Sequence, residues 1–341
     1  MSMRKCSVWG WAAAKGIDSL DLKEAYSLVQ PGLNGVESDF KNLIDSQAEF
    51  REMEKMLSQV LVGGKIVRPT LTLLSGSFYN YDLALLQPMA TSTELMHIAT
   101  LVHDDAIDSA DVRRGHATIN SIWGVDLAIL VGDFLFARAG ELAAKTGNIR
   151  VVTLFSQTLG IIARGEVKQA LSAFRLDQTF GQYIERVAAK TAALFTLATE
   201  SGSVLSGAPE ESVRVLHEYG YNLGIAFQIV DDILDFVGNE KEVGKPVGAD
   251  LAQGTFTLPA YKLLERSPVD NPLVKVARKE NLQENIKKVI DMVRSSDIID
   301  ECYQLAGNYR NLACQELNKL PDIPAREALV SLADYVVKRK K

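Results

Sequence analysis

Six aspartates stand in two groups of the same form, Asp104, Asp105 and Asp108 in DDAID and Asp231, Asp232 and Asp235 in DDILD. On a helix the first and last carboxylates of each group lie one turn apart on one face. There they repel each other, and an apolar neighbourhood disfavours their ionisation further. A cation relieves both penalties. Hard carboxylate oxygens suit Mg²⁺, which takes one or two protein carboxylates and fills its octahedron with waters and phosphate oxygens. Two such groups facing each other would hold a diphosphate through bridging metal ions. A solvated acidic face is the bland reading of either motif alone, and the repetition of the motif argues against it.

Basic residues suited to phosphate stand nearby in the sequence. GGKIVRP offers Lys65 and Arg68 after a flexible glycine pair, with Pro69 suited to open a helix. DVRRG places Arg113 and Arg114 just beyond the first aspartate group. Arg grips phosphate with two parallel hydrogen bonds, whereas Lys brings a mobile point charge. Taken singly, each of these is an ordinary surface residue.

Helices must position these groups. Leu223, Ala226, Phe227, Val230, Ile233, Leu234 and Val237 recur at offsets of three and four and predict an amphipathic helix from about 223 to 237. Its other stripe carries Gly224, Gln228, Asp231 and Asp235, an acidic front to an apolar back. Before Asp104, the apolar Leu95, Ile98, Leu101 and Val102 alternate with His97, Asp104 and Asp108 in the same manner. Turns are expected at Pro31-Gly32 and Asn34-Gly35, and breaks at Gly63-Gly64, 202–209, 238–248, 267–272 and 321–324. No series of alternating strands is apparent. The expectation is an all-α, single-domain helical bundle around a deep central cavity, spanning residues 1–341, with 1–35 a loose N-terminal segment.

Composition narrows the function classes. The chain has 341 residues, 47% hydrophobic and 23% charged, with a net charge of −6, which is the make-up of a globular protein rather than a disordered one. A general nucleic-acid binder needs a surplus of Lys and Arg, and this chain has the reverse. No apolar run is long enough to span a bilayer. Three cysteines without metal-ligand spacing, Cys6, Cys302 and Cys314, fit a reducing compartment better than a disulfide framework.

Together, GGKIVRP, ELMHIATLVHDDAIDSADVRRG, GDFLFARA, GEVKQ, KTAALF, FQIVDDILD and GKPVGADLAQGTFTLP occur in the order of the trans-isoprenyl diphosphate synthase (polyprenyl synthetase) family, which the chain strongly resembles. The resemblance implies the isoprenoid synthase fold. It also implies an enzyme that condenses isopentenyl diphosphate with an allylic diphosphate and releases pyrophosphate. By position, Asp104 and Asp108, with Asp105 nearby, resemble the first magnesium group, and Asp231, Asp232 and Asp235 the second, with Asp104, Asp108 and Asp231 the metal ligands. Arg113, Lys190, Thr191, Gln228 and Lys245 are similar to the family's ligands for the allylic diphosphate and its reacting end. Lys65, Arg68, His97 and Arg114 resemble the isopentenyl diphosphate site, and Glu166 and Gln169 are candidates for supporting it. The resemblance further implies Mg²⁺ as cofactor, three ions with substrate bound, a homodimer and a cytoplasmic location.

Two departures from the family's pattern remove positive charge: Ile66 replaces the first Arg of GGKRxRP, and Thr255 stands where a later lysine is usual. Weaker or altered diphosphate binding is the expectation. Ala99 and Thr100, five and four positions before Asp104, stand where large aromatic residues in the family stop chain growth. Small residues there imply a medium- or long-chain product of C20 or more. Phe134 and Phe136 are secondary candidates for a deeper floor, with core packing their ordinary role. Two alternatives compete: a class I terpene cyclase, against which the second DDxxD and the Lys65, Arg68 and His97 set argue, and a non-catalytic subunit of a heteromeric synthase, which Ile66 and Thr255 favour.

Overall fold

The computed structural model describes residues 20–63, 66–113, 115–238, 247–268 and 271–338. Among these the strands are confined to one antiparallel pair, β1 (Val112–Arg113) and β2 (His116–Ala117). The rest is helix and connection, as the 3.6-residue periodicity of the apolar positions requires. In order these are α1 (Leu20–Leu28), α2 (Gln30–Asp45), α3 (Arg51–Val60), α4 (Val67–Gly76), α5 (Leu83–Ile107), α6 (Ile119–Trp123), α7 (Val125–Lys145), α8 (Ile149–Leu171) and α9 (Phe180–Val187). A π-helical turn, Ala188–Ala192, then leads directly into α10 (Ala193–Leu205). There follow α11 (Glu210–Val237), α12 (Ala249–Ala252), α13 (Leu258–Arg266), α14 (Pro272–Ala277), α15 (Leu282–Arg294), α16 (Ile298–Leu317) and α17 (Pro324–Lys338).

The long α11 is the spine of a single all-α domain. Its first half, through Leu216, Tyr219, Leu223 and Ala226, joins an apolar core built with α4, α5, α7 and α10. Its second half, through Ile229, Ile233 and Phe236, joins another built with α13, α15 and α16. The helix starts well before the predicted 223, because Ser212, Val213, Val215 and Leu216 are buried as well. On the opposite side of the first core, α5 packs along α7: Ser92 donates to the Ala139 carbonyl at 2.7 Å, and His103 Nε2 lies 3.0 Å from the Ile129 carbonyl. Among the described residues, no helix is long and apolar enough to cross a membrane.

The N-terminal expectation needs correcting for its described part. Residues 20–28 and 30–35 are helical, and Ala25, Val29 and Leu33 are buried in the core. The expected turn signals lie inside α2. Pro31 occupies its first turn, where a missing N–H costs nothing. Gly32 and Gly35 lie where a Cβ would strike the side chains of Leu73 and Gln87, so both are close-packing glycines. Gly202 likewise falls within α10, not at its end, with a Cβ position against the α4 backbone.

A charged network braces α8, α10 and α11 away from the aspartates. Arg150 pairs with Glu210 and lies 3.4 Å from Glu200, while His217 Nδ1 is 2.8 Å from Glu200. Burial pushes the Glu200 carboxyl up, but hydrogen bonds from His217 and Arg150 outweigh it and hold the group below the usual range. The hydrogen bond to Glu200 in turn raises His217. Because the folded value is the higher one, His217 stabilises the fold below the unfolded pKa of about 6.5, and this is lost as pH rises through the folded value. With its side chain 44% exposed, the contribution is only about 0.5 kcal/mol. Calorimetry should therefore show the wild type losing about 1 °C more than His217→Gln between pH 6 and pH 8. Equal losses would remove the effect.

Candidate active site

The aspartates fall on α5 and α11, and the structure sorts each group into inward and outward members. In DDAID, Asp105 is buried and accepts a hydrogen bond from Arg113 Nε at 2.6 Å, so it anchors the β1 hairpin to the end of α5. Asp104 keeps a 20% exposed side chain, and Asp108, the residue that caps α5, is exposed. In DDILD, Asp232 and Asp235 are buried at 3% and 1% exposure, whereas Asp231 is partly exposed. Asp235 accepts from the Asp250 backbone N–H at 3.3 Å, and its carbonyl from that of Gly248 at 2.9 Å, which folds the 248–253 turn back onto α11.

The π turn joins the two groups. Lys190 Nζ lies 2.9 Å from Glu166 Oε1 of α8 and 3.9 Å from Asp104 Oδ2 of α5. The next residue, Thr191, donates its hydroxyl proton to Gln228 Oε1 of α11. Gln228 Nε2 then donates to Asp232 Oδ1 at 2.9 Å, and the buried Tyr183 hydroxyl donates to Asp232 Oδ2 at 2.7 Å. Gln169 Nε2 reaches Glu166 at 3.4 Å. Such wide turns recur at functional sites, and two glycines let the neighbouring helices close on this one. A Cβ on Gly165 of α8 would lie 2.7 Å from Ala189 Cβ, and one on Gly224 of α11 would collide with Ala192 Cα. Glu166 follows Gly165 by one residue and Gln228 follows Gly224 by one turn, so both reach the π turn because their helices approach so closely.

Gly224→Ala should force α11 away from backbone that cannot yield. We expect a loss of about 1–3 kcal/mol in denaturant unfolding and at least a tenfold drop in turnover, as Gln228 loses Thr191. Wild-type stability in this variant would contradict the close approach.

The electrostatics are those of under-neutralised acids. Burial raises Asp104 to about 6; Lys190 opposes the shift, and the charges of Glu166 and Asp108 add to it. Asp108 is raised in the same way, despite Lys190 and a hydrogen bond to Gln253. Asp232 is pushed up to about 7 by burial and by the charge of Asp250, against the hydrogen bonds from Gln228 and Tyr183. Burial would lower Lys190, but Asp104 and Glu166 reverse this and keep it protonated. Among the described residues, no three His, Cys, Asp or Glu side chains form a ready cage for a metal. A divalent ion held here would thus draw on one or two carboxylates and on ligand oxygens, the habit of Mg²⁺.

Of the other expected site residues, Arg68 is buried on α4 with its guanidinium 5.0 Å over the Phe195 ring, and His97 is partly buried on α5, seven residues before Asp104. Lys65, Arg114 and Lys245 lie outside the described residues. Ile66 is buried at φ 42° and ψ 40°, a left-handed conformation unusual for a β-branched residue. Thr255 is held by its backbone N–H to the Asp250 carbonyl at 2.8 Å. Thr100 shares the Asp104 stripe, one turn back, and is partly buried. Ala99 is 0% exposed and belongs to the stripe of Ser92, Met96 and His103, two of which bond to α7. Phe136 packs edge-on against His103 in that seam, with ring centroids 5.4 Å apart. Sequence reasoning missed Tyr183, Asp250 and Gln253. The last two lie in the quoted GADLAQG segment, and Tyr183 carried no signal beyond being aromatic.

A sequence profile described as "Polyprenyl synthetase" matches residues 50–293. The chain belongs to the polyprenyl synthetase family. The matched span of this polyprenyl synthetase runs from α3 into α15 and takes in both aspartate groups and the π turn. Its relatives include a protein of Geobacillus stearothermophilus named heptaprenyl diphosphate synthase component 2. It is 38% identical over 321 residues, which cover 94% of this chain and 99% of that one. The octaprenyl diphosphate synthase of Escherichia coli is 34% identical, over 82% of this chain and 87% of the relative. Among solved structures, a polyprenyl synthase from Caulobacter crescentus, complexed with calcium and isoprenyl diphosphate, superposes with a TM-score of 0.88. It is 33% identical, over 94% of this chain and 98% of that one.

Proposed function

We propose that this polyprenyl synthetase is a trans-prenyltransferase that adds isopentenyl diphosphate to an allylic diphosphate, building a product of C20 or longer and releasing pyrophosphate. The single observation that carries the site assignment is the Lys190-Thr191 turn, which touches α5 through Asp104, α8 through Glu166 and α11 through Gln228. It places a fixed cation and two oxygen acceptors between the aspartate groups.

Asp104, Asp108 and Asp231, the outward members, would hold Mg²⁺ together with diphosphate oxygens, three ions in the full complex. Asp104 and Asp108, raised by burial and by the charge of Glu166, fit a divalent ion, which removes the charge that disfavours them. Bound Mg²⁺ supplies positive charge to the diphosphate leaving group. Lys190, kept protonated by its neighbours, adds charge that is in place before the allylic C–O bond breaks. Arg113, which Asp105 orients, supplies the same kind of contact from the hairpin. Thr191 and Gln228 offer oxygen lone pairs to the electron-deficient allylic carbon. The double bond of isopentenyl diphosphate, bound by Arg68 and His97 with Lys65 and Arg114, then attacks, and the departing pyrophosphate takes the proton lost in forming the new double bond.

A partner covers the start of α7 in this reading. Ile122, Val125, Leu127, Ile129 and Leu130 are 39% to 60% exposed within nine residues, an apolar patch of the kind subunits bury. A second copy of the chain, in a cytoplasmic homodimer, is the occupant we infer. A second reading rests on one observation, that a relative is named as a component of its synthase; here the chain would need a different subunit.

One experiment separates the two. The purified chain, sized by light scattering, is given isopentenyl diphosphate with either geranyl or farnesyl diphosphate and Mg²⁺, and the product length is measured. A dimer making C20 or longer, silent when the metal is chelated, is expected. A C15 limit would refute the elongation reading, and inactivity restored only by another subunit would favour the second.

A further inference from the structure

Gln228 can aim its amide in two ways, and only one helps a cation. With Oε1 toward Thr191, the threonine must donate its proton to Gln228, which leaves lone pairs alone on Thr191 Oγ1 for any further partner. With the amide turned over, Nε2 would face Thr191, and the hydroxyl proton would be released toward the reacting end. A proton aimed at an electron-deficient carbon raises the barrier that lone pairs lower. Something must therefore choose between the two orientations.

The choice is made behind the site. Asp232, 3% exposed, accepts from Gln228 Nε2 at 2.9 Å and from the Tyr183 hydroxyl at 2.7 Å. Both hydrogen bonds are donated to Asp232, whose oxygens thus act as acceptors and hold Nε2 as the inward atom of Gln228. Tyr183 is 2% exposed and is itself held: the Arg186 guanidinium lies 5.6 Å over its ring, and Arg186 donates to the Phe256 carbonyl at 2.7 Å and to Gln178 at 2.9 Å. We propose that Tyr183 is a positioning residue, whose hydroxyl fixes Asp232 and, through Asp232, the amide of Gln228, so that Thr191 and Gln228 present only lone pairs to the allylic carbon. The inference rests on the prenyltransferase reading given above. Too buried to touch substrate, Tyr183 acts through a directed relay of three hydrogen bonds, from α9 across α11 to the π turn.

The test is Tyr183→Phe, which removes one oxygen and keeps the ring under Arg186. We expect kcat for condensation to fall about tenfold, with KM for both diphosphates within twofold and the thermal midpoint within a few degrees of wild type. The discriminating arm is the double variant. In a Gln228→Ala background, itself slowed, Tyr183→Phe should cost less than twofold more, because the group it positions is gone. A tenfold loss in both backgrounds, or a change confined to KM, would overturn the relay and leave Tyr183 a packing residue. A crystal structure of Tyr183→Phe gives a readout apart from activity. Gln228 there should have left Asp232 or Thr191; an unmoved Gln228 and Asp232 would sink the relay without touching the assignment of the reaction.

Discussion

Lys190→Ala is expected to slow condensation by about a hundred- to a thousandfold, the largest effect of any single substitution at this site outside the aspartates. The reason lies in how the ammonium is held. Burial alone would lower its pKa, but Glu166 at 2.9 Å and Asp104 at 3.9 Å reverse this, so a full charge waits among the acids. Removing it takes away stabilisation of the leaving group and leaves Asp104, Asp108 and Glu166 facing one another. Those acids should then bind Mg²⁺ at least as tightly as before, so the half-saturating metal concentration should hold or fall while kcat collapses. Lys190→Arg should recover part of the rate, since it restores charge but not the shape of the Nζ contact. Initial rates across a Mg²⁺ titration decide the matter. A Lys190→Ala enzyme rescued fully by extra metal would show that Lys190 only neutralises its neighbours.

The second large effect concerns product length. Thr100→Phe should shorten the product by one or more five-carbon units, because Thr100 is partly buried on the Asp104 stripe, one turn from the expected reaction centre. Ala99→Phe is expected to shorten it as well, at a cost that Thr100→Phe avoids. Ala99 is wholly buried on the stripe that meets α7, where Ser92 bonds to Ala139 and His103 to Ile129. A phenyl group there must part the α5 and α7 seam, which costs about 1–3 kcal/mol. A growing tail that passes Ala99 must open the same seam. Chromatography of the extracted products, with a melting curve for each variant, tests both. Unchanged product length in both variants would place the path of the tail elsewhere.

Much of this site was legible because its carriers repeat at the helical period. Gln228, Asp231 and Asp235 share a stripe opposite Val230 and Ile233, and that pattern alone predicts a helix with an acidic front. Contact across helices has no such period. Nothing in the spacing of Tyr183 announces that its hydroxyl meets Asp232, 49 positions later. The division of each aspartate group into inward and outward members was equally hidden, since Asp231 and Asp232 are neighbours in sequence and differ only in which side of α11 they occupy. The turn signals at Pro31-Gly32 and Asn34-Gly35 misled for a related reason. A glycine that makes room for a neighbouring helix reads the same, in one dimension, as a glycine that bends the chain.

The wide turn at Ala188–Ala192 also acts as a phase shifter. Upstream of it Tyr183 and Val187 point into the core around the second half of α11, and downstream Leu194, Phe195 and Ala198 point into the other. An uninterrupted α-helix keeps one angular frame, whereas a five-residue hydrogen-bond step resets it midway. Deleting one residue between 188 and 192 would therefore do more than remove a side chain. It would let the turn close on ordinary α-helical bonds, with both ends keeping their cores and the register of Lys190 and Thr191 between them lost.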